Sequence, residues 1–154
     1  MLRALLLLLL TPGLAGSQQS DLPAPTKDEI AHAPMVKIEK LSAQPDRYDK
    51  LLVRVNGSWV DGYHGSTLCP IDDDTHCIGV YFACPDDDAC KEIGKKLDKL
   101  LGPPHRTAPD EWDTRGRLSL VGRFRDTKTP PGMNSPRFFL EVWDLGGALA
   151  NTPR

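Results

Sequence analysis

Residues 77–102 read CIGVYFACPDDDACKEIGKKLDKLLG and place one strand directly before one helix. The strand is the compact apolar run at 77–83, which is typical of a central strand. The helix begins at the aspartates of 86–88, because carboxylates accept hydrogen bonds from free N-terminal amides and oppose the positive end of the helix dipole. Gly102 ends the helix. Its apolar face recurs at helical spacing and consists of Ala89, Ile93, Leu97, Leu100 and Leu101.

Four further segments, two on each side of this unit, read as half-buried strands. They span residues 51–60, 66–69, 117–125 and 138–144. The alternation predicts a core-facing set of Leu51, Val53, Val55, Leu118, Leu120, Phe124, Phe138, Leu140 and Val142. Gly57 inside the first strand predicts a bulge or a sharp bend there. The polar residues 105–114 predict a connection between the helix and the fourth strand.

The predicted order is strand, strand, strand, helix, strand, strand. We expect a mainly β protein with a five-stranded, OB-fold-like Greek-key barrel and one helix between strands 3 and 4. The helix would close the open end of the barrel. A bent first strand suits this architecture, because that strand crosses both halves of the barrel. About 100 residues contribute to the core, enough for an independent domain.

One segment also resembles a known family. From Lys40 to Val60 the chain resembles small exported or cytosolic bacterial OB-fold proteins of unassigned function, which share a short helix, Pro-x-x-Tyr-Asp and a strand ending near a Gly. Here the motif reads Pro45-Asp46-Arg47-Tyr48-Asp49, and the family's following Gly-Lys is replaced by Lys50 and Leu51. Residues 120–124 are similar to the family's fourth strand. The resemblance supports the fold and implies no catalytic residue.

The N-terminus has the layout of a secretory signal peptide: Arg3, a short apolar run, and small residues near Ala15. The run is too short to span a bilayer, which needs roughly 20 residues. We therefore expect an exported protein, periplasmic or extracellular, that is not held in a membrane after signal removal. The expected organisation is signal peptide 1–16, flexible leader 17–35 with a short helix following at 36–44, OB-fold domain 36–147, and disordered tail 148–154.

Four cysteines lie within a short stretch of the chain. An even count in an exported protein favours disulfides, and we expect Cys69 to pair with Cys77 and Cys84 with Cys90, because each pair brackets a short turn. The alternative is a zinc site that includes His76. The spacing lacks the paired C-x-x-C arrangement of common zinc sites, so no metal site is expected.

Charge is divided unevenly along the chain. Residues 61–90 contain seven Asp and no Lys or Arg, whereas residues 115–137 contain six basic residues and one Asp. The basic segment includes the loop between the fourth and fifth strands, which faces ligands in many OB-folds. Aromatic residues on the non-core face of the last strand could stack on bases or sugars. The candidate ligand-binding residues are Arg123, Arg125, Phe139 and Trp143. The alternative is a solvated basic face whose aromatics are covered by the N-terminal segment.

Other chemistry finds little support in the sequence. Asp72, Asp73 and Asp74 could hold Ca²⁺, but the loop lacks the Gly and distal Glu of an EF-hand. His64 lies with Asp61 and Ser66 in one turn, whereas triads are assembled from separated segments. No P-loop, dinucleotide fingerprint or nucleophile elbow occurs. We therefore expect no catalytic residue, no cofactor and no enzyme activity.

The expected function is an exported, non-catalytic binding module for a protein partner or a small anionic or saccharide ligand. The first alternative is oligonucleotide binding by the same face, which the net charge of −2 makes less favourable. The second is a small secreted hydrolase that uses His64 or His76. The sequence does not predict an oligomeric state.

Overall fold

The computed structural model describes residues 22–62, 65–103, 105–108, 111–128 and 136–149. Its elements, in chain order, are α1 (Lys27–Ala31), α2 (Ile38–Ala43), α3 (Pro45–Tyr48), β1 (Leu52–Gly62), β2 (Gly65–Cys69), β3 (Ile78–Phe82), α4 (Asp87–Leu101), β4 (His105–Ala108), β5 (Glu111–Asp126) and β6 (Phe138–Ala148).

Five of these strands close into a barrel. β1 pairs with β2 and β2 with β3, both antiparallel, and β3 then pairs with β6 in parallel. β6 pairs antiparallel with β5, and β5 returns to β1 through ten consecutive residue pairs from Leu52↔Arg123 to Asp61↔Thr114. The predicted architecture is confirmed: a mainly β, OB-fold-like, five-stranded mixed barrel with α4 between its third and fourth strands, β3 and β5.

α4 begins and ends where the sequence predicts. The Asp86 carboxylate accepts a hydrogen bond from the Ala89 amide at 2.8 Å, and Gly102 follows the helix with φ of 77°, a conformation that favours glycine. The helix lies against β5 and β6, and Leu97, Leu100 and Leu101 pack on the edge of the barrel core. A helix placed there also satisfies the need of the parallel pair β3–β6 for a long connection.

The barrel core contains most of the predicted inward-facing residues. Val53, Val55, Leu118, Leu120, Phe124, Leu140 and Val142 are all essentially inaccessible to solvent. Leu51 is an error of the prediction, because it precedes β1 and is 51% exposed. Its backbone still joins the barrel, since its carbonyl accepts a hydrogen bond from the Phe124 amide at 3.1 Å. Trp59 adds a large buried ring that stacks at a tilt on Phe82.

Gly57 does not form the predicted bulge. The pairing of β1 with β5 continues through Gly57↔Leu118 without a register shift. The requirement for glycine is instead one of close approach, because a Cβ at this position would lie 2.6 Å from the Cys69 carbonyl oxygen and 2.7 Å from Leu68 Cγ. The strand therefore needs glycine where β2 crosses closely over it.

The expected polar connection at residues 105–114 is also wrong. β4 pairs antiparallel with the first residues of β5, from His105↔Asp113 to Ala108↔Glu111. β5 thus begins at Glu111, six residues before the strand that the sequence predicts. Its alternation is diluted there by small and charged residues, which is why periodicity did not reveal it.

The segment before the barrel carries more regular structure than a flexible leader implies. α1 begins with a capping box in which Thr26 and Glu29 satisfy each other's backbone amides. The short helix predicted at 36–44 is α2, followed directly by α3. The signal peptide 1–16 and leader residues 17–21 lie outside the described residues, as do residues 150–154 of the expected tail, whereas β6 extends to Ala148. Within the described ranges, no helix is long and apolar enough to cross a membrane.

Candidate functional site

The four candidate ligand-binding residues lie on the outer surface of the barrel. The register of β5 and β6 places Arg123 opposite Glu141 and Arg125 opposite Phe139, while their neighbours Phe124 and Leu140 point into the core. β3 continues these rows with Tyr81 beside Glu141. We call this surface the outer face; it comprises Tyr81, Arg123, Arg125, Phe139, Glu141 and Trp143.

The part of the outer face formed by β3 and β6 is open to solvent. Tyr81 is 38% exposed and meets the ring of Phe139 edge to face, with ring centroids 6.1 Å apart. Phe139 is held in place because its ring lies over Gly79, where a Cβ would approach the ring to 2.7 Å. Partial burial, with the negative charge of Glu141, raises the pKa of the Tyr81 hydroxyl, so tyrosine stays neutral here.

Arg125 adds a positive charge to this open part. Its Nη1 lies 3.9 Å from Oε2 of Glu141, whose residue is only 3% exposed. A buried carboxylate needs a nearby cation, so Arg125 has a structural role besides its charge. The arginine side chain itself stays 27% exposed and faces the solvent beside Phe139.

The part of the outer face that contains Arg123 is covered. Arg123 is 9% exposed, and its guanidinium carbon lies 5.8 Å from the centroid of the Trp143 ring. Its Nη2 donates to the Pro23 carbonyl, whereas Nη1 and the Trp143 indole Nε1 have no hydrogen-bond partner among the described residues. Of the four candidates, Arg123 is buried, whereas Arg125, Phe139 and Trp143 are partly exposed, with the indole nitrogen of Trp143 itself buried.

The cover is the N-terminal segment, and we call residues 22–36 the strap. Besides Pro23, the strap is held at Ile30, whose carbonyl accepts from Arg54 Nη2 at 3.3 Å. Its end forms an isolated parallel bridge with β1, in which the Arg54 amide donates to the Pro34 carbonyl at 2.8 Å and Val36 donates back to the Arg54 carbonyl at 2.9 Å. The alternative that the N-terminal segment covers Phe139 and Trp143 is thus met only at Arg123, the neighbour of Trp143, where the strap makes its hydrogen bond.

The loop between β5 and β6 is fixed at its two ends by a buried carboxylate. Asp126 accepts hydrogen bonds from Arg137 and from Lys128, and its side chain is completely inaccessible. The bonds from Arg137 hold the pKa of this carboxyl well below its usual range against the opposing effect of burial. Lys128 and Arg137, two of the six basic residues in the predicted basic segment, therefore stabilise this loop through Asp126.

Both expected disulfides are confirmed, Cys69–Cys77 and Cys84–Cys90. Because all four cysteines are used, none is left for the alternative zinc site. The two bridges close short loops, one around the acidic turn at 70–77 and one at the start of α4. Disulfides are typical of proteins in oxidising compartments.

The acidic turn is held together by its own hydrogen bonds. The Asp73 carboxylate accepts from the hydroxyl and the amide of Thr75, at 2.6 and 2.7 Å, and also contacts His76 Nδ1. The Thr75 hydroxyl, followed by His76, lowers the pKa of Asp73 to about 2. Asp72 and Asp74 do not join it in a group of metal-binding side chains among the residues that the structure describes.

The histidines considered for a hydrolase differ in what the structure shows. His64 lies outside the described residues. His76 contacts the Thr75 hydroxyl at 3.0 Å and the Asp73 carboxylate through the same ring nitrogen, Nδ1. A catalytic relay uses both ring nitrogens, one for the nucleophile and one for the orienting carboxylate, so this turn lacks that geometry.

Sequence reasoning missed two members of the outer face. Tyr81 lies within an apolar run, which hides that its side chain points outward. Glu141 is a polar residue in an alternating strand, and nothing in that strand's own sequence signals its burial beside β5. Comparisons with protein-family models, with curated proteins and with solved structures find no match to this chain.

Proposed function

We propose that this protein is an exported, non-catalytic binding module that uses the outer face of β3, β5 and β6 to bind an anionic group of a protein partner or of a small ligand such as an acidic saccharide. The observation that carries the proposal is the juxtaposition of Tyr81, Phe139 and Arg125 on one exposed surface. An aromatic pair provides a stacking surface, and the adjacent guanidinium provides charge and directed hydrogen bonds.

Export, to the periplasm or the extracellular space, is part of the proposal. It is supported by the signal-like N-terminal sequence and by two disulfides, which persist in oxidising compartments and are rare in the cytosol. N-terminal sequencing of the mature protein from the exported fraction tests this directly. A mature chain that begins near residue 17 supports export, whereas a chain that begins at Met1 contradicts cleavage.

The binding surface is tested with a panel of labelled probes: a polyglutamate peptide, an oligogalacturonate, a neutral cello-oligosaccharide and an oligothymidylate. We expect an acidic probe to bind the wild-type protein, and Tyr81→Ala to weaken that binding about 5- to 30-fold through loss of stacking. Arg125→Lys, which keeps the charge next to Glu141, tests the contribution of the guanidinium fork. Lys95→Ala, on the exposed side of α4, is the matched control and should bind normally.

Oligonucleotide binding is the second candidate, favoured by the same exposed aromatic pair, on which bases can stack. It is distinguished by salt dependence. Binding of the oligothymidylate that falls at least tenfold between about 50 mM and about 200 mM salt would support it. Failure of all four probes, with the strap intact and with the loosened strap described below, would contradict the binding-module proposal.

A further inference from the structure

Arg123 is buried opposite Glu141, yet it forms no close ion pair with that carboxylate, which lies nearest to Arg125. Its residue is 9% exposed, and no carboxylate of the described residues forms an ion pair with it. One guanidinium nitrogen donates to the neutral carbonyl of Pro23 and the other, Nη1, has no partner. Because an unpaired buried charge is costly, this arrangement is less stable than one in which the guanidinium meets an anion.

The strap that covers Arg123 has no fully buried side chain, although Val36 at its end packs partly buried against the core. α1 has no buried residue. Its contacts with the barrel include the Pro23 carbonyl on Arg123, the Ile30 carbonyl on Arg54 and the bridge at Met35. A segment with so little buried apolar area is displaced at low cost, as segments that open locally generally are.

Space already exists beneath the strap. A cleft of about 350 Å³ lies between α1 and the barrel, and its lining includes Asp28, Glu29, His32, Leu52 and Arg123. Glu29 and the positively charged Arg123 line the same cleft, yet the Glu29 carboxylate accepts hydrogen bonds from Thr26 in the capping box. The strap therefore brings an acidic residue near Arg123 without pairing it.

We propose that the strap occupies a peptide-binding site on the barrel, and that this site binds an extended acidic segment of a partner protein. Arg123, which lies against the Trp143 ring, binds a carboxylate of that segment. The occupant is a peptide because the barrel binds the strap through peptide carbonyls, at Arg54 as well as at Arg123. It is acidic because a carboxylate can pair with both guanidinium nitrogens, whereas the Pro23 carbonyl engages one.

This inference rests on the proposed binding function and adds that the strap competes with the partner for the same site. If the strap and the partner occupy the same site, the apparent affinity is reduced by the fraction of molecules in which the strap is closed. Loosening the strap must therefore tighten binding, while altering Arg123 must weaken it. If the strap and Arg123 only stabilised the fold, loosening the strap and altering Arg123 would not change the binding affinity in opposite directions.

The test measures binding of a labelled Glu-Pro repeat peptide, which is extended and acidic, and of its Gln-Pro analogue, to the full mature chain. Thr26→Ala removes the cap of α1 and loosens the strap, so we expect the Glu-Pro peptide to bind about fivefold more tightly. Arg123→Lys should weaken the same binding at least tenfold, because an ammonium group does not form the forked pair. Asp86→Ala removes the equivalent cap from α4 and is the matched control, with affinity unchanged.

The outcomes separate this inference from the proposed function. Equal affinity of wild type and Thr26→Ala, equal binding of the Gln-Pro peptide, or no binding of the Glu-Pro peptide to either protein each overturns the strap proposal. If any panel probe still binds and depends on Tyr81, the binding-module proposal stands without it. Hydrogen exchange gives a second readout: bound Glu-Pro peptide should accelerate exchange of the Val36 and Arg54 amides, which the closed strap protects. Unchanged or slower exchange at both amides would also contradict displacement.

Discussion

Asp126 accepts two hydrogen bonds from one guanidinium group, from Arg137 Nε at 2.9 Å and from Nη2 at 3.0 Å. The two residues stand at opposite ends of the loop between β5 and β6, so the pair closes that loop. On the other side, the Asp126 amide donates to the Asp49 carboxylate at 2.9 Å, which ties the same point to the end of α3.

Asp126→Asn should lower the free energy of unfolding by about 1–3 kcal/mol, because the completely buried carboxylate loses its charge while Arg137 and Lys128 remain. Asp46→Asn is the matched control. Asp46 also contacts Lys128, but its side chain is 90% exposed, so that pair contributes little. Denaturant unfolding of both variants measures the difference, and equal stability of the two would contradict a structural role for Asp126.

The contribution of Asp126 should also depend on pH. Its pKa is lower in the folded protein than in the unfolded chain, where an Asp titrates near about 3.9, so its stabilisation is complete above that value and is lost as the pH falls below it. The stability difference between wild type and Asp126→Asn should therefore be constant from about pH 7 to about pH 5 and should narrow toward about pH 2. If the stability difference between wild type and Asp126→Asn grew as the pH fell, the pKa of Asp126 would be raised and not lowered by folding.

Thr75→Val should raise the pKa of Asp73 from about 2 toward the ordinary value of an aspartate, because the Thr75 hydroxyl is the largest cause of its depression. The carboxyl carbon of Asp73, followed by NMR across an acid titration, measures the pKa directly. Thr67→Val, on β2 and remote from the turn, should leave it unchanged. An Asp73 pKa that stays near 2 in Thr75→Val would contradict the role of the hydroxyl and would mean that His76 and the amide of residue 75 sustain the shift.

Much of the fold was predictable because its signals are local. The carboxylate run and Gly102 fix the ends of α4, and alternation identifies four strands. The outward-facing rows followed from the same alternation, which is why Arg125 and Phe139 could be placed on one surface. Closure of the barrel could be inferred only from the order of elements, since nothing local specifies that β3 pairs with β6.

The errors arise where a long-range contact decides. The residues around Gly57 do not indicate that β2 lies close to it. Sequence alone therefore cannot distinguish a glycine in a bulge from a glycine required by a neighbouring strand. Leu51 continues the alternation of β1, but it precedes Leu52↔Arg123, the first residue pair between β1 and β5, and its side chain is exposed. The cover on Arg123 depends on a contact between residues 100 positions apart along the chain. No pattern within a window of sequence contains such information.

Gly57→Ala should destabilise the protein by about 1–3 kcal/mol, because the added methyl would overlap the Cys69 carbonyl oxygen, a backbone atom that cannot move alone. Gly94→Ala is the control. A Cβ at position 94 meets no atom within 4 Å, and alanine favours a helix over glycine, so stability should rise by about 0.5–1 kcal/mol. If the melting temperature fell in both variants, Gly94 would not have the free space around it that the structure shows.

The two disulfides should differ in accessibility. Cys69 is 3% exposed at the end of β2, whereas Cys90 is exposed on the first turn of α4. Partial reduction of the native protein, followed by alkylation and mass spectrometry, should label Cys84 and Cys90 first. Unreduced, unfolded protein should take up no alkyl group. Earlier labelling of Cys69 and Cys77 would contradict the burial of that bridge.

We infer that an acidic peptide binds the outer face at Arg123, and the indole groups report on this binding directly. In a ¹H–¹⁵N NMR titration with the Glu-Pro repeat peptide, the Trp143 Nε1–H signal, which lies beside Arg123 on that face, should shift in a saturable manner. The signal of Trp59, sealed in the core at 1% exposure, should not move. Saturable binding that leaves the Trp143 signal unchanged would contradict binding of the peptide at Arg123.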